Sequence, residues 1–141
     1  MPLMWFTVLW LSITLRSYQL LSLKFSKTLK AGGTFIFSVE HPTFTAPRNP
    51  DWIDDAEGHK VWPLDSYLFE GSRTRNWLAE GVVKQHRTIS TYITILLDAG
   101  FTLSAIDEWG PTEEQLKEYP DWTKARHRPP FLLVKVTKPV V

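Results

Sequence analysis

Glu40 and His41 stand side by side at the end of a short β-rich run, Thr34 to Val39. A carboxylate beside an imidazole can take up or release a proton near neutral pH. If that run is a strand of an open α/β sheet, its carboxyl end is where ligands bind. The pair could equally tie a following loop down by hydrogen bonds. Pro42 then fixes the turn. His86 and Arg87 form a second pair, just ahead of a helical segment from Ile89 to Leu97. Helix N-termini favour anions, so this pair could meet an acidic group on a ligand. A surface or capping role is the alternative. Tyr92 inside the helix faces the same choice, between ligand contact and core packing. Tyr67, Glu70, Arg73 and Trp77 make a polar-aromatic cluster between the two pairs. Ring faces attract cations, and packing over a sheet edge is the plainer role.

Other chemistries are excluded or disfavoured. The chain has no cysteine, so disulfides, thiol nucleophiles and cysteine-held metals are ruled out. His41, His59, His86 and His127 show no metal-ligand spacing, and no metal is expected. Asp54-Asp55 and Glu113-Glu114 read as solvated faces. The net charge of +1 points to no nucleic-acid partner. Hydrophobic residues are 43% and charged residues 22%, which is enough apolar content for a folded core. Seven Trp and eight Phe in 141 residues suggest rings lining both a core and a pocket.

The elements that would position these residues follow from pattern. Residues Met1 to Leu15 are almost continuously apolar and stop at Arg16. A strand buried on both faces looks like this. A signal peptide would need basic residues before the run, and a membrane span about 18 to 20 apolar residues. Ser17 to Leu29 has helical spacing, with Ser17 as cap and Gly32-Gly33 as stop. So residues 1–39 read as strand, helix, strand, which implies a right-handed crossover and an α/β fold. Residues 40–66, with Pro42, Pro47, Pro50 and Pro63 among Trp52 and Trp62, read as a long irregular lid. Tyr67 to Thr88 reads as extended structure broken at Gly71 and Gly81, and residues 40–88 together form the insertion. The remainder, 89–141, reads as a helix ending at Gly100, a strand from Phe101 to Trp109, a polar helix from Pro111 to Trp122, a basic connection from Arg126 to Pro130, and a last strand from Phe131 to Val136. One domain is expected over residues 1–141.

This order, together with particular residues, resembles the second half of class I S-adenosylmethionine-dependent methyltransferases. Leu29-Lys30-Ala31-Gly32-Gly33 is similar to the family's LKPGG turn before its fifth strand, with Ala31 in place of the proline. Phe35 to Pro42 looks like the FSVEHP stretch of one bacterial-type subgroup. His86-Arg87-Thr88 leads into the helix, Leu97 to Phe101 resembles L-x-x-AGF, and Arg128 to Leu132 resembles RPPFL. The resemblance covers residues 10 to 139. It implies a Rossmann-like sheet of strands in the order four-five-seven-six, with the last strand antiparallel, topped by an irregular aromatic lid. It implies S-adenosylmethionine as cofactor and methyl transfer to an unidentified small molecule. Glu40 and His41 are then the catalytic candidates. Tyr67, Arg73, Trp77, His86, Arg87 and Tyr92 are the substrate-contact candidates, and an aromatic lid suits a sulfonium.

The family holds its cofactor chiefly on a glycine-rich loop after strand one, and no G-x-G-x-G occurs here. The chain is therefore expected to be truncated and inactive as it stands, and a mispredicted gene start would explain its unusual opening. The rival reading is a non-catalytic remnant serving as an interaction module. A membrane role through residues 1–15 is a third. A cytoplasmic protein is expected, with an apolar strand-four edge that a homodimer could cover.

Overall fold

The structure is a computed structural model that describes residues 7–10, 23, 25–77 and 79–140. The expected helix from Ser17 lies mostly outside the described residues, as do both flanks of the apolar opening run; residues 25–28 are helical.

The chain leaves strand β1 (Thr7–Trp10) and returns as β2 (Thr34–Glu40), which pairs parallel to it. A helical turn α1 (Pro42–Thr45) follows at once. A minimal hairpin, β3 (Ile53–Asp54) and β4 (Lys60–Val61), precedes a longer one, β5 (Gly71–Trp77) and β6 (Ala79–His86). Then come α2 (Ile89–Asp98), β7 (Thr102–Glu108), α3 (Glu113–Glu118), a 3-10 turn (Pro120–Thr123), α4 (Lys124–His127) and β8 (Phe131–Thr137). The main sheet has the order β1-β2-β8-β7, with β8 antiparallel to both neighbours. That is the four-five-seven-six order the family resemblance implied.

The core lies between this sheet and α2. Strand β2 alternates, burying Phe35, Phe37 and Val39, and β8 answers with Val136, Val134 and Leu132 directly opposite. From α2 come Tyr92, Ile95, Leu96 and Ala99, with Phe101 just beyond. Phe25 stacks on Phe35 with ring centroids 4.6 Å apart, and Phe35 meets Phe37 at 5.2 Å. Two glycine turns fix the ends. Gly100, at φ 87, closes α2 as a Schellman motif: its N–H bonds Leu97 O at 2.9 Å and that of Phe101 bonds Leu96 O at 3.1 Å. At Gly33 an added Cβ would meet Lys30 O at 2.8 Å, and this turn is locked to the end of β8 by paired bonds with Lys138.

Three expectations need correction. The polar helix over Pro111 to Trp122 is only Glu113–Glu118, because Pro120 forces Tyr119 to an extended ψ of 74. The basic connection starts inside a helix, since α4 runs to His127. The lid is not wholly irregular, holding α1 and the β3–β4 hairpin. Among the described residues no helix is long and apolar enough to cross a membrane.

Phe37 is fully buried at the centre of the core. Phe37→Ala is expected to cost about 3–5 kcal/mol, as large core aromatics do. Ile106→Ala, at a position 44% exposed, should cost under about 1 kcal/mol. Urea unfolding of the two variants checks the contrast.

Candidate functional site

Strands β2 and β7 point the same way, so Glu40 and Glu108 both finish at one end of the sheet. The start of β8 lies at that end too, since Phe131 pairs with Glu40 and Leu132 with Glu108. Arg128 therefore arrives beside them, three residues before β8 begins.

Glu40 accepts a hydrogen bond from Lys84 Nζ at 2.6 Å, and both side chains are nearly buried. Next to it, His41 caps α1: its Nδ1 accepts the Thr43 N–H at 3.1 Å. That bond places the ring proton on Nε2, which donates to Glu108 Oε1 at 2.9 Å. Burial pushes the His41 imidazole below its ordinary value, against the pull of Glu108 and aided by the charge of Arg128.

The lid is clamped by a cation. The Arg128 guanidinium lies 4.3 Å from the centroid of Phe44, 4.5 Å from Trp62 and 6.0 Å from Trp52. Trp62 Nε1 donates to Thr43 O at 2.8 Å, and Trp52 meets Trp62 edge-on at 5.4 Å. Among the described residues, buried Arg128 Nε and Nη1 find no hydrogen-bond partner, and ring faces lie around this cation instead. Burial lowers its pKa, and the Glu40 carboxylate offsets part of that.

A second knot holds the β5–β6 hairpin. His86 is fully buried; its Nε2 donates to Tyr67 O at 2.8 Å and its Nδ1 accepts from Thr45 Oγ1 at 2.8 Å. Burial lowers the His86 pKa, with the charge of Arg73 acting the same way and the Tyr67 bond opposing. Glu70 accepts from the Thr88 N–H and hydroxyl, each at 2.8 Å. Burial alone would raise the Glu70 carboxyl, but the bonds from Thr91 and Thr88 outweigh it and hold it below its ordinary value. The Tyr67 hydroxyl accepts the Ile89 N–H at 3.3 Å, at the first turn of α2.

Between lid and hairpin lies a cleft of about 320 Å³ lined by Phe44, Thr45, Arg73, Arg75, Asn76 and Lys84, with Pro50 and Asp51 at its rim. Of the sequence candidates, Arg73 lines it, and Glu40 touches it through Lys84. Tyr67 and His86 brace the hairpin from below. Arg87 and Tyr92 pair with each other, and burial raises the Tyr92 hydroxyl pKa. Trp77 is placed by its backbone alone, opposite Ala79 at a bulge in β5. His127 meets Trp52 edge-on at 6.4 Å. His59 Nδ1 lies 3.3 Å from Asp55 and 3.5 Å from Glu57. These three exposed groups could reach one cation. The Asp55 carboxylate already accepts the Glu57 and His59 N–H groups of the β3–β4 turn, which accounts for their closeness.

Sequence reasoning passed over Lys84, Glu108, Arg128 and Arg75. Lys84 is two residues before His86 and so shares its strand face. Glu108 ends a strand just as Glu40 does. Arg75 repeats Arg73 at the same spacing.

With this geometry in place, the chain can be set beside known proteins. No family model matches it. It is 34% identical to an uncharacterized protein of Haemophilus influenzae over 116 residues, 78% of this chain and 44% of that protein. It superposes on an S-adenosylmethionine-dependent methyltransferase from Mesorhizobium loti with TM-score 0.87 and 40% identity, over 94% of this chain and 60% of that one. A Listeria monocytogenes protein assigned to the same class matches with TM-score 0.80 and 40% identity, over 96% of this chain and 60% of that one. The chain thus spans less than two thirds of each relative. Its fold is that of the class I S-adenosylmethionine-dependent methyltransferases.

His41 and His86 both carry imidazoles held below 6.5. The unfolded chain therefore binds more protons than the folded one as pH drops below that value, and stability is lost as pH falls through the folded-state values. The unfolding free energy from urea melts should be flat between pH of about 8 and 7, then fall below about 6.5 by at most about 1.36 kcal/mol per pH unit per histidine. Replacing both by Gln should flatten the curve between about pH 6.5 and 5. The lowered carboxyls of Glu70, Asp55 and Asp65 act only further down, below 4.5 and 3.8.

Proposed function

We propose that this chain is the acceptor-side portion of an S-adenosylmethionine-dependent methyltransferase acting on a small molecule. One observation carries the reading: 94% of the chain superposes on the Mesorhizobium loti methyltransferase at 40% identity.

Methyl transfer is an in-line displacement. The acceptor lone pair forms the new bond to carbon as the carbon–sulfur bond breaks, and the acceptor releases a proton. An enzyme contributes alignment, a dry site and a home for that proton. The cofactor supplies the activated methyl group. The described residues do not make a site for it by themselves. The sequence holds no G-x-G-x-G, and the ring faces of Phe44 and Trp62 that would suit a sulfonium are taken by Arg128. The roles assigned to this chain therefore concern the acceptor.

Glu40 is the proton acceptor in this reading. Lys84 engages its Oε1, which leaves Oε2 for an acceptor N–H or O–H. His41 works through its neighbours: both ring nitrogens are committed, one to α1 and one to Glu108. It positions the turn on which Glu40 sits. Phe44, one of the clamped aromatics, gives the cleft an apolar wall.

Two measurements test this. Calorimetric titration of the 141-residue chain with S-adenosylmethionine tests activity of the chain by itself, and no binding at millimolar cofactor would rule that out. The second uses a chimera carrying the amino-terminal portion of the Mesorhizobium loti protein ahead of Thr7. It is expected to bind the cofactor in the micromolar range. A folded chimera that does not bind sinks the reading. Once an acceptor turns over, Glu40→Gln should lower kcat by about 10²- to 10⁴-fold with cofactor affinity unchanged.

A further inference from the structure

Strands β5 and β6 alternate, and the face they turn inward carries Arg73, Arg75, Lys84 and His86. A hairpin packed on a lid ordinarily buries apolar side chains on that face. Here Arg73 sits directly across from Lys84, and Arg75 follows two residues on along the same face. Like charges directly opposite one another are unfavourable.

Only part of this charge is answered. Lys84 has Glu40. Among the described residues no carboxylate forms an ion pair with Arg73 or Arg75. Their guanidinium groups bond backbone carbonyls: Arg73 to Ala46, Ser72 and Phe69, and Arg75 to Thr74 and Pro47. Asp65, the acid nearest to Arg75 in effect, is committed to Arg48 and Ser66. The repulsion from Arg73 and the burial around Arg75 both lower the Arg75 pKa. The cleft above them is lined by three cations and one acid, Asp51. Phe44 supplies an apolar wall. A volume near 320 Å³ lies at the small end of ligand sites.

We infer that Arg73 and Arg75 form an anion subsite in this cleft, so that the methyl acceptor carries a carboxylate or phosphate head group and an apolar body that packs on Phe44. This rests on the reading of the chain as a methyltransferase, whose acceptor side it specifies. Arginine's planar fork suits both anions, and the pairing of two guanidiniums with one anion removes the repulsion between them. Lys84 stays with Glu40, which keeps the proton-accepting carboxylate apart from the head group.

The test uses the full chain and needs no cofactor. Arginine Nε and backbone amide resonances are followed by NMR during titration with inorganic phosphate and, separately, with benzoate, at constant ionic strength set by chloride. Saturable shifts centred on Gly71 to Asn76 are expected, together with a rise in Tm. The tighter probe identifies the head group. Arg75→Gln should weaken that binding about tenfold or more. Arg75→Lys, which keeps the charge, should weaken it several-fold and serves if the Gln variant does not fold. Lys117→Gln, on α3 away from the cleft, should leave it unchanged. Shifts that chloride reproduces, or that Arg75→Lys and Arg75→Gln leave intact, overturn the proposal; arginines that only brace the lid give that result. Anion binding in a chain whose chimera takes no cofactor keeps the subsite and removes the methyltransferase reading. Cofactor binding without anion binding does the reverse.

Discussion

A strand that runs antiparallel between two parallel neighbours must start where they finish. β8 does this between β2 and β7, and the site depends on it. The turn into β8 is thereby forced against the residues leaving the other two strands. Arg128 and Pro130 come from that turn; Glu40, His41 and Glu108 come from the strand ends. His41 N–H bonds Pro130 O at 2.9 Å, which joins the two sets through backbone alone. The Arg128 contacts with Phe44 and Trp62 and the His41–Pro130 bond depend on β8 running this way.

On that scaffold, a single cation holds the lid. Two buried donor atoms of Arg128 find no partner among the described residues, an arrangement that costs free energy unless something else compensates. The faces of Phe44 and Trp62, with Trp52 further out, provide it. The Glu40 carboxylate adds a favourable field. The lid is therefore attached to the sheet through the rings that face this cation.

The sheet was legible because its signals are local. TFIFSV, the Gly-Gly turn, Ala-Gly-Phe and FLLVKV each specify an element through short-range chemistry, and the family resemblance those residues carry implied the strand order. Glu40 and His41 could be placed for the same reason, as residues following a strand. The partners of these residues were not legible. Lys84 lies 44 positions from Glu40 and Glu108 lies 67 from His41. Such pairings follow only once strand order is known, and then by rule. The aromatic lid was open to two readings, contact with a cation or packing over a sheet edge, and the rings of Phe44 and Trp62 hold a cation from the chain itself. Composition shows that rings are abundant, not what occupies their faces. The break at Pro120 was readable from the residue before proline and shows the cost of following periodicity past a breaker.

A basic inward face on a two-stranded hairpin sets stability against function. Burying Arg73, Arg75 and Lys84 there gives up the apolar contacts that would have anchored β5 and β6 to the lid. The hairpin is held instead by directional bonds: His86 to Thr45 and Tyr67, and the arginines to Ala46, Pro47 and Phe69. Directional bonds tolerate small shifts poorly, so the hairpin's position is tied to the two short segments, 45–47 and 67–70, that accept them. Thr45, in the first of these segments, lines the cleft, so the bonds that hold the hairpin also set one of the cleft's walls.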